Sequence, residues 1–152
     1  RKLVESAKPG EADAARGRAV FARTCAVCHT LYDEGGKVGP ELTNSNRRDL
    51  GYLIENVVDP SATVTKGYEV TVVRTRDGGV VSGVVRAETP TTITLHTGTA
   101  VVDVSRADVD KLRTTGESLM PEGLLTGLNR QDVLDLVAYL RSDGPPPGPA
   151  RQ

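Results

Sequence analysis

The stretch "CAVCHT", residues 25–30, holds both cysteines of this chain and one of its two histidines. Two thiols three positions apart, with an imidazole directly after them, suit few kinds of chemistry. A disulfide across so short a loop would restrain little of the unfolded chain. A thioredoxin-like dithiol calls for a βαβ setting, which the flanking residues do not read as. A closed zinc site needs further ligands, and His96 is the one Cys or His left. The fourth reading is covalent haem attachment through C-x-x-C-H, with Cys25 and Cys28 adding to the two vinyls as thioethers and His29 ligating iron from the proximal side. One helical turn would lay both sulfurs along one porphyrin edge and swing the next residue under the metal. So short a pattern also arises by chance, so the rest of the chain must decide.

Composition narrows the classes. The chain has 152 residues, 38% hydrophobic and only 3% aromatic, with no Trp and one Phe. Such a core is thin, and something other than side chains would help to fill it. The net charge of -1 gives no reason to expect nucleic acid or an anionic membrane as partner. No apolar run approaches the ~20 residues that span a bilayer. The opening "RKLVESAKPG" lacks the apolar segment of a signal peptide, so the chain reads as a mature form or an excised domain. The tail "GPPPGPARQ" reads as a linker or frayed end.

Outward from the motif, "EADAARGRAVFARTC" reads as a helix with Gly17, Phe21 and Cys25 on one face. A glycine on that face predicts close approach of a second helix. Its candidate partner is "NRQDVLDLVAYLRS", with Asn129 as N-cap, Val133, Leu136, Val137 and Leu140 as an apolar stripe, and Tyr139 beside it. "GGKVGPEL" is a loop. "RRDLGYLIENVVDP" is a helix that must stop near Asp59, because Pro60 follows. Residues 67–113 are dense in Val and Thr, with turn signals at "RDGG", "ETPT" and "HTGT". Val70, Val72, Val80, Val84, Ile93, Leu95, Val102 and Val104 fit period-two faces, which predicts a small antiparallel sheet or an SH3/Sm-like barrel. Its expected role is a structural lid beside the haem, with docking of a partner as the other reading.

G-x3-F-x3-C-x-x-C-H, a G-P loop and a terminal helix with L-x-x-Y together resemble a class I-type cytochrome c. More closely, "CAVCH", "VGPEL", "VVDPSATVTKGYE", "DGGVVSGVVRAET", "SLMPEGL" and "DLVAYLRS" resemble the haem-binding domain of the Pirellula/Verrucomicrobium type. That resemblance implies a mainly α cytochrome c fold over 11–142, with the β-rich piece 67–113 inserted between the haem motif and a Met ligand loop, and flexible ends at 1–10 and 143–152. It implies that the first and last helices cross at Gly17, Phe21, Leu136 and Tyr139, and that Pro40 offers its carbonyl to the proximal imidazole. It also implies that a Met-Pro loop presents a thioether to iron. Met120, the single Met, lies in "ESLMPEGL" before Pro121. A gap-filling Met is the ordinary alternative. His96, in the strand-like "TTITLHTGT", is the competing ligand, and Met120 is preferred to it.

The function expected on these grounds is not an enzyme's. It is single-electron carriage by a domain with one covalent haem c, with iron held by His29 and Met120 and Phe21 packed nearby. Electrons would come from a dehydrogenase, attached in the same parent chain or separate, and pass to a downstream redox partner. Covalent attachment suits an exported protein of the bacterial periplasm. The alternative is a five-coordinate haem sensor or a peroxidase-like enzyme. Ser118 and Glu122 would then be the distal polar groups, a poor set for cleaving peroxide.

Overall fold

A computed structural model describes residues 1–146, so the tail from 147 onward, part of the expected flexible end, lies outside the described residues. The chain divides into two compact units, one built from residues 1–59 with the chain from 122 onward, the other Pro60–Pro121.

The first unit holds the helices α1 (Lys2–Glu5), α2 (Ala14–Thr24), α3 (Leu50–Val58) and α4 (Arg130–Leu140), with a two-stranded hairpin of β1 (Thr30–Leu31) and β2 (Glu34–Gly35). Each longer helix starts where a short polar side chain can take up free backbone N–H groups. Asp13 accepts from Ala15 N at 2.7 Å, Asp49 from Tyr52 N at 2.7 Å and Asn129 from Asp132 N at 2.8 Å. α3 ends at Val58 with Asp59 as its C-cap, one residue before the proline, as the sequence predicts.

α2 and α4 cross with no space between their backbones. A Cβ on Gly17 would lie 1.9 Å from the Asp135 carbonyl oxygen and 2.8 Å from the Tyr139 Cβ. One turn on, Phe21 meets Tyr139 at 5.4 Å between ring centroids, and Tyr32 of the hairpin turn stands edge-on to Tyr139 at 6.0 Å. Val20, Leu31, Leu53 and Leu136 close the same cluster. The expected stripe on α4 understates its burial. Val133 is only half-buried, whereas Leu134, Asp135 and Tyr139 are buried along with Leu136, Val137 and Leu140. Tyr139, read from sequence as a flank, is the fully buried centre.

Two buried charges fasten this unit. Asp135, 2% exposed, accepts from Arg16 Nε at 2.7 Å, the Asp13 N–H at 2.7 Å and Gln131 Nε2 at 2.9 Å. Burial works against this carboxylate, yet these hydrogen bonds, Arg16's first, outweigh it and hold its pKa below the ordinary value. Arg47, 4% exposed, donates to the carbonyls of Leu140 at 2.6 Å and Ser142 at 2.7 Å, and lies 5.0 Å over the Tyr32 ring. It thus meets the negative end of the α4 dipole.

The second unit is a five-stranded antiparallel sheet of β3 (Glu69–Thr75), β4 (Val80–Glu88), β5 (Thr92–His96), β6 (Val101–Ser105) and β7 (Val109–Ser118), in the order β6-β5-β4-β3-β7. The Asp77-Gly78 turn joins β3 to β4, with Gly78 at φ +91°. Val73, Ile93, Leu95 and Val104 form its core, with Val81, Val85, Val102 and Val109 packed around them. Val80, which the sequence places on a period-two face, is 63% exposed, while its neighbour Val81 packs against the core.

The expectation of a mainly α cytochrome c fold with a minor β insert is overturned. Strands take up about as much of the chain as helices, and the sheet forms a compact unit with its own core. The antiparallel sheet expected within 67–113 is present, with five strands and β7 running on to Ser118. The cause is the long run of β-branched residues, which builds five full strands rather than a short decoration.

Phe21→Ala should lower the unfolding free energy by about 3–5 kcal/mol, as large core truncations do. Val80→Thr should change it by less than about 0.5 kcal/mol. Urea titrations of both variants check the pair.

Because Asp135 has a depressed pKa when folded, its contribution is complete above the unfolded carboxylate value of ~3.9 and disappears as pH falls through the folded value. Acid titration of stability should therefore show a decline below about pH 4. Asp135→Asn should flatten that decline and lower stability at pH 7 by about 1–3 kcal/mol.

Candidate haem site

α2 runs directly into the Cys–His turn. The Cys25 N–H still donates to the Phe21 carbonyl at 2.8 Å, and the His29 N–H donates back to the Cys25 carbonyl at 2.9 Å. Both thiols are free and half-buried, while Val27 between them is 67% exposed. Burial, and then the neighbouring Cys28, push the Cys25 thiol up to about 11, and burial raises Cys28 as well. Both are therefore protonated at neutral pH.

The glycine-rich loop folds back onto this turn. The Gly36 N–H donates to the Ala26 carbonyl at 2.7 Å, and the Gly39 N–H to the Cys28 carbonyl at 2.8 Å. The approach is so close that a Cβ on Gly36 would lie 2.3 Å from the Val27 oxygen, and one on Gly39 2.6 Å from the His29 Cε1. The hairpin turn that precedes the loop places Tyr32 and Asp33 in the left-handed region, at φ 53° and 62°.

His29 Nδ1 lies 2.8 Å from the Pro40 carbonyl oxygen. A carbonyl can only accept, so Nδ1 carries the proton and Nε2 keeps its lone pair. Burial lowers the pKa of the ring, opposed by the Pro40 bond, so the imidazole is neutral at pH 7. The residues fit a covalently held haem on three counts: two free thiols on one turn, a neutral imidazole with a fixed tautomer, and glycines that leave the ring no Cβ to strike. In such a site Cys25 and Cys28 would hold the macrocycle and His29 Nε2 would reach the metal, with haem c supplying a one-electron couple.

Phe21 sits one turn before Cys25, in the core against which Cys25 packs. Met120 lies in the second unit, half-buried just after β7, and its N–H donates to Ser118 Oγ at 3.1 Å. His96 is half-buried on β5, paired with Val84 and Val101. Sequence reading missed Arg47, Asp135 and Tyr32. The left-handed turn at Tyr32-Asp33 carries no Gly or Asn signal, and a lone Arg or Asp in a polar stretch looks like solvated surface. The Tyr139 hydroxyl is buried with no hydrogen-bond partner among the described residues.

The segment with this geometry matches the cytochrome c family. Residues 12–69, from the start of α2 through α3, match the family described as cytochrome C oxidase, cbb3-type, subunit III. A protein of Synechocystis sp. named "Cytochrome c-553-like" is 47% identical over 47 residues, 30% of this chain and 44% of that protein. The similarity is a distant one at the level of the family, and the chain spans less than half the length of this relative. Cytochromes c are electron carriers. Among the described residues, no helix is long and apolar enough to cross a membrane.

Gly39→Ala should displace the His29 ring, because the new methyl group would overlap it. The expected cost is about 1–3 kcal/mol of stability. Imidazole nitrogen shifts in NMR should report a weakened bond to Pro40, and unchanged shifts would mean that the loop absorbs the methyl elsewhere.

Proposed function

We propose that this chain is a mono-haem c-type cytochrome domain that carries single electrons. The observation behind this reading is the pairing of two free thiols with His29, whose Nδ1–H is engaged by the Pro40 carbonyl at 2.8 Å. That bond leaves Nε2 as a neutral donor atom of fixed direction and raises its basicity as a ligand. Cys25 and Cys28 would form the thioethers, and Phe21 would help to keep water from that side.

Met120 is proposed as the second axial ligand from its setting in the sequence, a sole Met before Pro121 in a loop. A soft sulfur opposite an imidazole favours the ferrous state and raises the potential. Were His29 and Met120 both to hold the metal, no open site would be left for substrate, which favours electron carriage over a five-coordinate sensor or peroxidase-like role. The closer resemblance to the Pirellula/Verrucomicrobium-type domain supports a dehydrogenase, in the same parent chain or separate, as electron donor. The bacterial periplasm is the compartment that covalent haem suits best.

Intact mass should exceed that of the 16.1 kDa polypeptide by one haem that survives acid–acetone extraction. A polypeptide of unmodified mass would sink the proposal. The ferric protein should show a weak far-red sulfur-to-iron band that vanishes in Met120→Ala and persists in His96→Ala. The reverse pattern would make His29 and His96 the axial pair.

A further inference from the structure

We propose that Ser118 and Ser61 are positioning residues that fix the backbone of Met120 as a metal ligand. The inference rests on the reading of Met120 as the second ligand and adds to it the means by which the sheet unit presents that residue. It starts from an irregularity in the ladder between β3 and β7. Thr114 pairs with Thr71 and Ser118 with Glu69, so β7 carries Thr115, Gly116 and Glu117 against Val70 alone. Such a bulge breaks the regular hydrogen bonding of the strand and re-aims whatever follows it.

Hydroxyl groups take over where the ladder fails. Thr115 Oγ1 donates to the Val70 carbonyl at 3.0 Å and accepts from the Glu117 N–H at 3.1 Å. The Ser118 N–H donates to Ser61 Oγ at 3.1 Å, and the Met120 N–H donates to Ser118 Oγ at 3.1 Å. Ser61 stands where the chain enters this unit and Met120 where it leaves, so two hydroxyls tie the exit to the entrance. Between them in sequence, Leu119 reaches the turn joining β5 to β6, where a Cβ on Gly98 would lie 3.8 Å from its Cδ2. Ser118 is thus the hinge of the series, since its N–H is held by one hydroxyl while its own hydroxyl holds the ligand residue.

A methionine side chain has three rotatable bonds and a polarizable thioether sulfur. The geometry it offers a metal therefore depends on how firmly its backbone is placed. A serine hydroxyl on a short stem gives that placement at little entropic cost. A purely structural role, completing the end of β7, would show in stability alone.

The test compares Ser118→Ala, Ser118→Thr, Ser61→Ala and Met120→Ala in the haem-loaded protein. Two quantities are read: hydrogen exchange at the Met120 amide, and the rate at which ferric protein takes up cyanide. Loss of one hydrogen bond should speed both by about three- to tenfold in Ser118→Ala, and by less in Ser61→Ala. Ser118→Thr, which keeps the hydroxyl, should restore both. Faster amide exchange with a cyanide rate equal to wild type would overturn the positioning role. Wild-type exchange in Ser118→Ala would overturn the hydrogen bond itself. A wild-type cyanide rate in Met120→Ala would instead overturn the ligand assignment on which the inference rests.

Discussion

The first unit depends on the contact between α2 and α4 at Gly17. The Asp135 carbonyl occupies the place of the missing side chain, so the helices meet backbone to backbone. That closeness sets what can lie on either side of the crossing. Toward the C-terminal end of α2 it brings Phe21 against Tyr139, and Tyr139 against Tyr32. Toward the N-terminal end it brings Asp135 onto the α2 cap, where Arg16 and the Asp13 N–H satisfy its charge. In a chain with a single Phe and no Trp, one such tight crossing concentrates most of the aromatic packing in one place.

The Cys–His turn inherits its position from this crossing. It continues α2 without a break, so the face of α2 that packs on α4 determines where the two thiols point. The glycine loop then closes on the turn and delivers the Pro40 carbonyl to His29. One backbone oxygen settles both the tautomer and the direction of the ring. The match of residues 12–69 to the cytochrome c family includes this segment.

The sheet unit is organised on another principle. Its core is aliphatic, and its irregular ends are held by side-chain hydroxyls in place of ladder bonds. Threonine and serine, which look in sequence like filler between valines, thereby become the fastenings of β7. Thr71 shows the same use inside the sheet, buried at 3% exposure with its hydroxyl 3.1 Å from that of Thr114.

The sequence by itself determined the elements whose signals are local. The C-x-x-C-H spacing, the N-cap at Asn129, the stop before Pro60, the Asp77-Gly78 turn and the close approach at Gly17 can each be read from a few neighbouring residues, because each depends on backbone geometry over one turn. Only the tertiary structure decided the balance of the fold and the facing of its strands. Residues 72–73, 80–81, 84–85 and 101–102 are all Val-Val pairs, and a slip of one residue exchanges the two faces without changing the pattern. Val81 rather than Val80 points inward because pairing with Val73 sets the register, and that pairing joins strands whose order no local signal specifies. The same holds for Arg47 and Asp135. Their burial follows from partners about a hundred residues away, since a polar group enters a core only where distant chain supplies its hydrogen bonds.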